Sequence, residues 1–376
     1  MMCNVLTYEQ IDRNEWSRLA ASSSTSTWFQ TPEAYDFYAS QPELFKPFVI
    51  GVTCDPAGTQ THLRAVCVGY VTVERNPIKQ YFTRRAIVIG GPALADDATD
   101  EEVMALMNAV KNLPSFQGEE LCSIEGPVDF HRMKNGVGFR PIYIEMRNFN
   151  DYSRWKEAFT KSAFEYVPHL NFHVDTSSVE TVEANLGKSR KRDIKTSIRD
   201  GAQIIDLAND INSEFEREKM VHEYYEILSN LYKTKVKTPL FPESFFQALA
   251  KHPDGRFLLV ALPKEDGTTE IIGGTVCVAQ EGKCLYEWFV CGRDGEWKSI
   301  FPSSFATYAG IMYAADHGMS RFDMMGAGTP NEAYGVRDFK ARFGGKEVEH
   351  GRFLCVTKPI LYKIGALGVK LLKRLK

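Results

Sequence analysis

YGVRDFKARFGG, residues 334–345, is the stretch on which the fold reading turns. It follows a strand-like RFDMMG at 321–326, so that a strand, a short basic helix and a glycine stop come in succession. A degraded copy occurs about two hundred residues earlier as VDFHRMKNGVGFRP, 128–141. Superposing Asp129-Phe130 on Asp338-Phe339 carries Gly136 onto Gly345 and sets His131 where the later copy has Lys340. Two similar domains in tandem are expected, and 376 residues accommodate two of about 150 to 200 each.

The bulk composition narrows the class without naming it. With 44% hydrophobic, 12% aromatic and 25% charged residues the chain is an ordinary globular protein with well-filled cores. A net charge of -3 argues against wholesale polyanion binding, so any phosphate recognition must be local. The eight cysteines form no CxxC pair and no pattern with histidine, which argues against a zinc knuckle or a disulfide framework, and they read as reduced thiols. The start MMCNVLTYEQIDRNEW lacks a signal-peptide pattern, and no apolar run approaches the ~20 residues of a membrane span. A cytoplasmic location is expected.

Periodicity places a helix after Thr31-Pro32 in WFQTPEAYDFYAS, strands at 45–53 and 63–74, a strand in RRAIVIG (84–90) and a helix over 97–113. CSIEG (122–126) and RPIYIEM (140–146) complete the first half as strands around the helix containing His131. The second half begins with FHVD (172–175), followed by helices over 177–200 and 212–232, strands at 256–261 and 271–278, and a hairpin into CLYEWFVC (284–291). A helix at 304–317, the strand RFDMMG, the helix 337–343 and one strand KEVEHGRFLCV (346–356) follow. This order resembles the GNAT acyltransferase layout. The fold class is therefore α/β (α+β), with two tandem GNAT-like domains, 1–165 and 166–376, each a mixed, mainly antiparallel sheet flanked by helices.

WFQTPEAYDFY, IGGP (89–92), LGKSRKRDIKTSIRDGAQ (186–203), FDMMGAGTP (322–330) and YGVRDFKARFGG, taken in that order and spacing, resemble the FemABX peptidoglycan aminoacyltransferases of the tandem-GNAT superfamily. That resemblance implies transfer of an aminoacyl group from aminoacyl-tRNA to an amine of a cell-wall precursor, held between the domains, with no metal or bound cofactor. It makes Lys340 the lysine of the family's FK-x-x-FG signature, near the transferring acyl group, where an ammonium would bind a phosphate or carboxylate and stabilise an oxyanion. A bare helix lysine would otherwise read as solvated. Arg337, three residues before Lys340 on the same face, is its expected companion in substrate binding.

Lys188, Arg190, Lys191, Arg192, Lys195 and Arg199 stand against one acid, Asp193. Arg192, Lys195 and Arg199 fall at helical spacing and form a stripe that suits phosphates, or else a solvated face. Strict alternation in CLYEWFVC sets Cys284, Tyr286, Trp288 and Val290 on one side and Leu285, Glu287, Phe289 and Cys291 on the other. Glu287 among apolar neighbours is a candidate general base with a raised pKa, or half of a buried pair with an arginine. Tyr286 and Trp288 either line the substrate cleft or pack in the core. Asp323 either orients the amine or holds Lys340, and a structural salt bridge is the comparable reading. Tyr334 is a further substrate-side candidate.

Acetyl-CoA enzymes of the GNAT fold carry Q/R-x-x-G-x-G/A after the fourth strand, where glycine lets amides approach the pyrophosphate. Here GRDGEWKSIFPSS (292–304) places Glu296 three residues after Arg293, which disfavours CoA and leaves aminoacyl-tRNA preferred. The tail PILYKIGALGVKLLKRLK (359–376) reads as a basic amphipathic helix for an anionic membrane face or for the protein's own surface. Another acyl donor in envelope or polysaccharide synthesis, and a non-catalytic binding protein that keeps the fold, remain as alternatives.

Overall fold

Near-continuous apolar runs in FKPFVIGVTC and LRAVCVGYVT, buried along almost their whole length, produce the two long strands around which the N-terminal sheet is built, in a computed structural model that describes residues 3–54, 62–74, 77–113 and 141–374. The chain forms two units, Met1–Pro168 with His350–Lys376, and His169–Glu349. In the first, β1 (Cys3–Leu6), β2 (Phe45–Cys54), β3 (Leu63–Thr72), β4 (Ala86–Gly90), β6 (Tyr143–Asn148), β15 (Arg352–Val356) and β7 (Glu165–Val167) lie side by side, with β5 (Ala93–Leu94) on β3. All pairs are antiparallel except β4 with β6, which pair in parallel along the whole of Ala86–Gly90.

The helix Pro32–Ala39 starts where the sequence indicates, because Pro32 fits the first helical position and Thr31 Oγ1 accepts the Ala34 N–H at 3.2 Å. Just before it, buried Gln30 bridges two strands that are no longer paired with each other. Its amide nitrogen donates to Val68 O (3.0 Å) and Ile89 O (2.9 Å), and its oxygen accepts from Val68 N (2.8 Å). The motif WFQTPEAY thus has a structural purpose. The helix expected over 97–113 begins at Asp100 because Thr99 and Glu102 form a reciprocal capping box.

Three expectations change. The segment 346–356 is two strands, since β14 (Lys346–Glu349) pairs with β8 (Leu170–Asp175) whereas β15 buries Phe353 and Cys355 in the first unit's core. Gly351, at φ 64°, makes the turn between them, so residues from His350 onward belong to the first unit and the second does not run 166–376. Cys3 and Cys54, directly opposite across β1 and β2 with Cα atoms 4.6 Å apart, form a disulfide, while Cys67, Cys277, Cys284, Cys291 and Cys355 are free and buried. The earlier copy, with CSIEG and His131, lies outside the described residues.

In the second unit β14, β8 (Leu170–Asp175), β13 (Arg321–Gly326), β12 (Cys284–Gly292), β11 (Thr269–Gln280), β10 (Gly255–Pro263) and β9 (Gln203–Asp206) form the sheet, with β12 and β13 parallel. The helix Pro302–Asp316 lies on one face, sealing a core that includes Leu285, Phe305, Ala306 and Phe322. The helix foreseen over 177–200 is two, Val179–Asn185 and Lys188–Arg199. They part at Gly187, whose N–H bonds Arg342 O (3.2 Å) and where a Cβ would sit 2.7 Å from that oxygen. The helix Glu243–Lys251, which supplies Phe245 and Phe246, has no counterpart in the sequence reading.

Candidate active site

The two parallel strands of the second unit pair over three residues only, Cys284–Tyr286 with Arg321–Asp323, and then part. Both bend at the fork. On β12 a bulge falls at Trp288, since Phe289 faces Val276 and Glu287 faces Cys277, the next residue along β11. On β13 the pairing with β8 slips between Asp323 and Gly326, and Met325 adopts φ 54°. Among the described residues no strand pairs with the β13-side edge of β12 from Glu287 onward. An edge of this kind offers main-chain hydrogen bonds to an extended ligand.

The bulge also overturns the strict alternation expected along β12. Leu285 and Val290 both reach the core beneath the helix Pro302–Asp316, and Glu287 turns the same way, accepting from Thr307 Oγ1 (2.8 Å) and Thr275 Oγ1 (3.3 Å). Phe289 instead meets Phe246 (ring centroids 4.9 Å apart), and Trp288 meets Phe245 (5.2 Å). Burial pushes the Glu287 carboxyl above its ordinary value, opposed by the charge of Lys340 and by the two threonine hydroxyls. No arginine among the described residues pairs with it. Tyr286 is fully buried, its hydroxyl 3.3 Å from Gln280 Oε1, so it is a core residue and lines no cleft.

Lys340 is neither solvated nor free. Its ammonium is buried and donates to the carbonyls of Met324, Met325 (3.1 Å) and Gly326 (3.0 Å), which uses all three of its donors. Burial lowers its pKa, and the charges of Glu287 and Asp323 act against that shift. Arg337 has a similar function, donating to the carbonyls of Ala327 (3.2 Å), Thr329 and Pro330 (3.4 Å). The cations of the FK-x-x-FG helix therefore brace the segment that follows β13. Tyr334 is exposed beside Gly328.

Asp323 is completely buried and fixes the same bend from the other side. Its Oδ1 accepts from Met325 N (2.8 Å) and Asn171 Nδ2 (2.8 Å), and its Oδ2 lies 3.2 Å from His173 Nε2. Burial would raise this carboxyl, but His173, Arg321 and Asn171 outweigh burial and hold it below the usual range. Asp323 makes no direct bond to Lys340. The left-handed Met325, a conformation that costs a non-glycine residue about 1–2 kcal/mol, is held by the Lys340 and Asp323 bonds together.

LGKSRKRD and DFKARFGG, read separately in the sequence, touch in the fold. The buried Arg190 guanidinium lies over the rings of Phe339 (4.6 Å) and Phe343 (4.9 Å) and donates to Asp193 Oδ2 (3.2 Å) and Ser304 Oγ (2.8 Å). Arg190 is thus a structural member of the basic run. Lys188, Arg192, Lys195 and Arg199 are exposed along one stripe, with Arg192 3.4 Å from Asp193 and Arg199 2.7 Å from Asp200.

The loop after β12 carries its own anion. Asp294 Oδ1 accepts the Ser303 N–H (3.1 Å) at the start of the helix Pro302–Asp316, where amides would otherwise bind a phosphate. Gly292 lies so close to that helix that a Cβ there would sit 2.5 Å from Ser303 N. A carboxylate on the amides and a closed strand–helix junction do not fit the pyrophosphate of CoA.

A family model described as an acetyltransferase (GNAT) domain matches residues 188–340, which run from the basic helix to Lys340. Among solved structures, FemX superposes with a TM-score of 0.66 at 12% identity, covering 97% of this chain and 99% of that one. The chain has the tandem-GNAT fold. L-PGS from Bacillus licheniformis (TM-score 0.51, 11% identity, 96% of this chain and 97% of that one) shares this fold. So does a tandem GNAT protein from the clavulanic acid biosynthesis pathway (0.53, 8%, 95% and 99%). No curated protein matches the sequence.

Asn171 and His173 carry no signature of their own in the sequence, yet both belong to this site. Both sit on β8, and the antiparallel register sets His173 opposite Asp323. Alternation in LNFHVD, with polar residues at 171, 173 and 175, was the available signal. Pairing with β13 could not be read from it.

Proposed function

We propose that the second unit transfers an aminoacyl group from aminoacyl-tRNA to an amine of a peptidoglycan precursor. The observation that carries this reading is the fork, where β12 leaves β13 after Tyr286 and the first residue beyond the last pair is Glu287. The donor ester lies along the free edge of β12, where a main-chain N–H of the bulged stretch meets the oxygen that becomes negative. The acceptor amine attacks the ester carbonyl, forming a C–N bond as the ester C–O bond breaks. The ribose hydroxyl leaves and takes up a proton. Glu287 accepts the proton that the amine loses, and Lys340, Asp323 and Arg337 position the end of β13.

Two features favour RNA over CoA as donor, namely Asp294 on the helix amides and the exposed stripe Lys188, Arg192, Lys195 and Arg199, which suits a phosphate backbone. Among the described residues of the first unit β4 and β6 stay paired to Gly90 and Asn148 and form no equivalent fork, so acyl transfer is assigned to the second. The test is incubation of the full chain with charged tRNAs and muropeptide precursors, read by mass spectrometry. An added aminoacyl residue is expected. Acylation from CoA thioesters alone would overturn the donor assignment and favour another N-acyltransferase of envelope synthesis.

A further inference from the structure

Two neighbouring helices of the first unit leave large apolar side chains in water. On Pro359–Arg374, Leu361 and Tyr362 are half-buried, with Tyr362 edge-on to Tyr143 of β6 (5.4 Å), and this fixes which way the helix turns. Ile360, Ile364 and Leu367, at spacings of four and three, then point outward with 76%, 52% and 61% of their surface exposed. The short helix Pro77–Thr83, in contact with it, adds Tyr81 and Phe82 at 42% and 47%. Gln80 ties that helix to the end of β3 by donating to Thr72 O (3.0 Å) and accepting from Glu74 N (2.5 Å). Lys358 Nζ lies 5.8 Å from the centroid of the Tyr81 ring.

The charges carried by these two segments have one sign. Residues 350–376 contain Arg352, Lys358, Lys363, Lys370, Lys373, Arg374 and Lys376 and no Asp or Glu, and residues 75–95 contain no acid either. No helix among the described residues is long and apolar enough to cross a membrane. A helix of 16 residues with an apolar stripe, an acid-free basic flank and adjacent aromatic rings has the chemistry of an element that lies in the plane of a bilayer surface.

We propose that Pro359–Arg374 and Pro77–Thr83 together form a docking surface for an anionic lipid bilayer. The aliphatic stripe and the Tyr81–Phe82 pair enter the headgroup layer, and the lysines meet lipid phosphates. This surface belongs to the first unit and does not depend on the identity of the acyl donor.

The test is co-sedimentation of the full chain with vesicles of phosphatidylcholine, with and without phosphatidylglycerol, at low and high salt. Binding that requires phosphatidylglycerol and weakens with salt is expected. Either double variant, Ile364→Asp with Leu367→Asp or Tyr81→Ser with Phe82→Ser, should reduce partitioning about tenfold or more while circular dichroism stays unchanged. The second pair lies on a separate helix and answers for any loss of folding in the first. Equal sedimentation with both lipids, unaltered binding in both variants, or a dimer that Ile364→Asp with Leu367→Asp dissociates, would each overturn the proposal.

Discussion

Replacing Lys340 by methionine separates a brace from a chemical group. Methionine keeps much of the volume and removes all three donors, leaving the carbonyls of Met324, Met325 and Gly326 without the ammonium. A buried acceptor that loses its partner costs about 1–3 kcal/mol. Three acceptors therefore set a gross loss of about 3 kcal/mol or more. Relief of the desolvated ammonium, whose burial is seen in its lowered pKa, offsets part of this. The left-handed Met325 also loses one of its restraints and adds to the loss. A net destabilisation of about 2–4 kcal/mol is expected, read in urea as a lower midpoint of the second unit's unfolding at constant slope. A Lys340→Met protein within about 0.5 kcal/mol of the parent, yet inactive, would refute the brace and return Lys340 to the reacting centre.

Glu287→Gln should abolish transfer by about a hundredfold while stabilising the fold above pH 4.5, because the buried carboxyl has a raised folded-state pKa. The unfolded chain loses this proton more readily, so the parent loses stability as pH rises from 4.5 to the folded value. In equilibrium unfolding at several pH values the amide variant should lack that slope. Reversing the exposed charges with Arg192→Glu and Lys195→Glu should raise KM for the RNA donor about tenfold or more and shallow its salt dependence, with the unfolding midpoint unchanged. Arg190→Ala should destabilise by about 3 kcal/mol, since buried Asp193 would keep only the exposed Arg192 as its cation, and denaturant titration reads the loss.

Much of the fold was legible because it is local. Thr31-Pro32 starts a helix by its own chemistry, and the strand RFDMMG appears with the bounds its pattern gave. The fate of residues 346–356 was not legible, since choosing between sheets depends on which distant core accepts Phe353 and Cys355. At the site, burial of Glu287 followed from its apolar neighbours, but a single bulge at Trp288 reversed the faces beyond it. Lys340, which the FK-x-x-FG resemblance sets near the transferring acyl group, is buried with its ammonium on main-chain carbonyls. What engages it is the carbonyl end of its own chain, and carbonyls leave no mark in a sequence.

The most direct test of the account is a crystal structure of the chain soaked with a non-hydrolysable aminoacyl-nucleotide that mimics the end of charged tRNA. The account predicts ligand density along the free edge of β12 beyond Tyr286, with its carbonyl oxygen within hydrogen-bond reach of a main-chain N–H near Trp288. Density elsewhere, with that edge left empty, would contradict it.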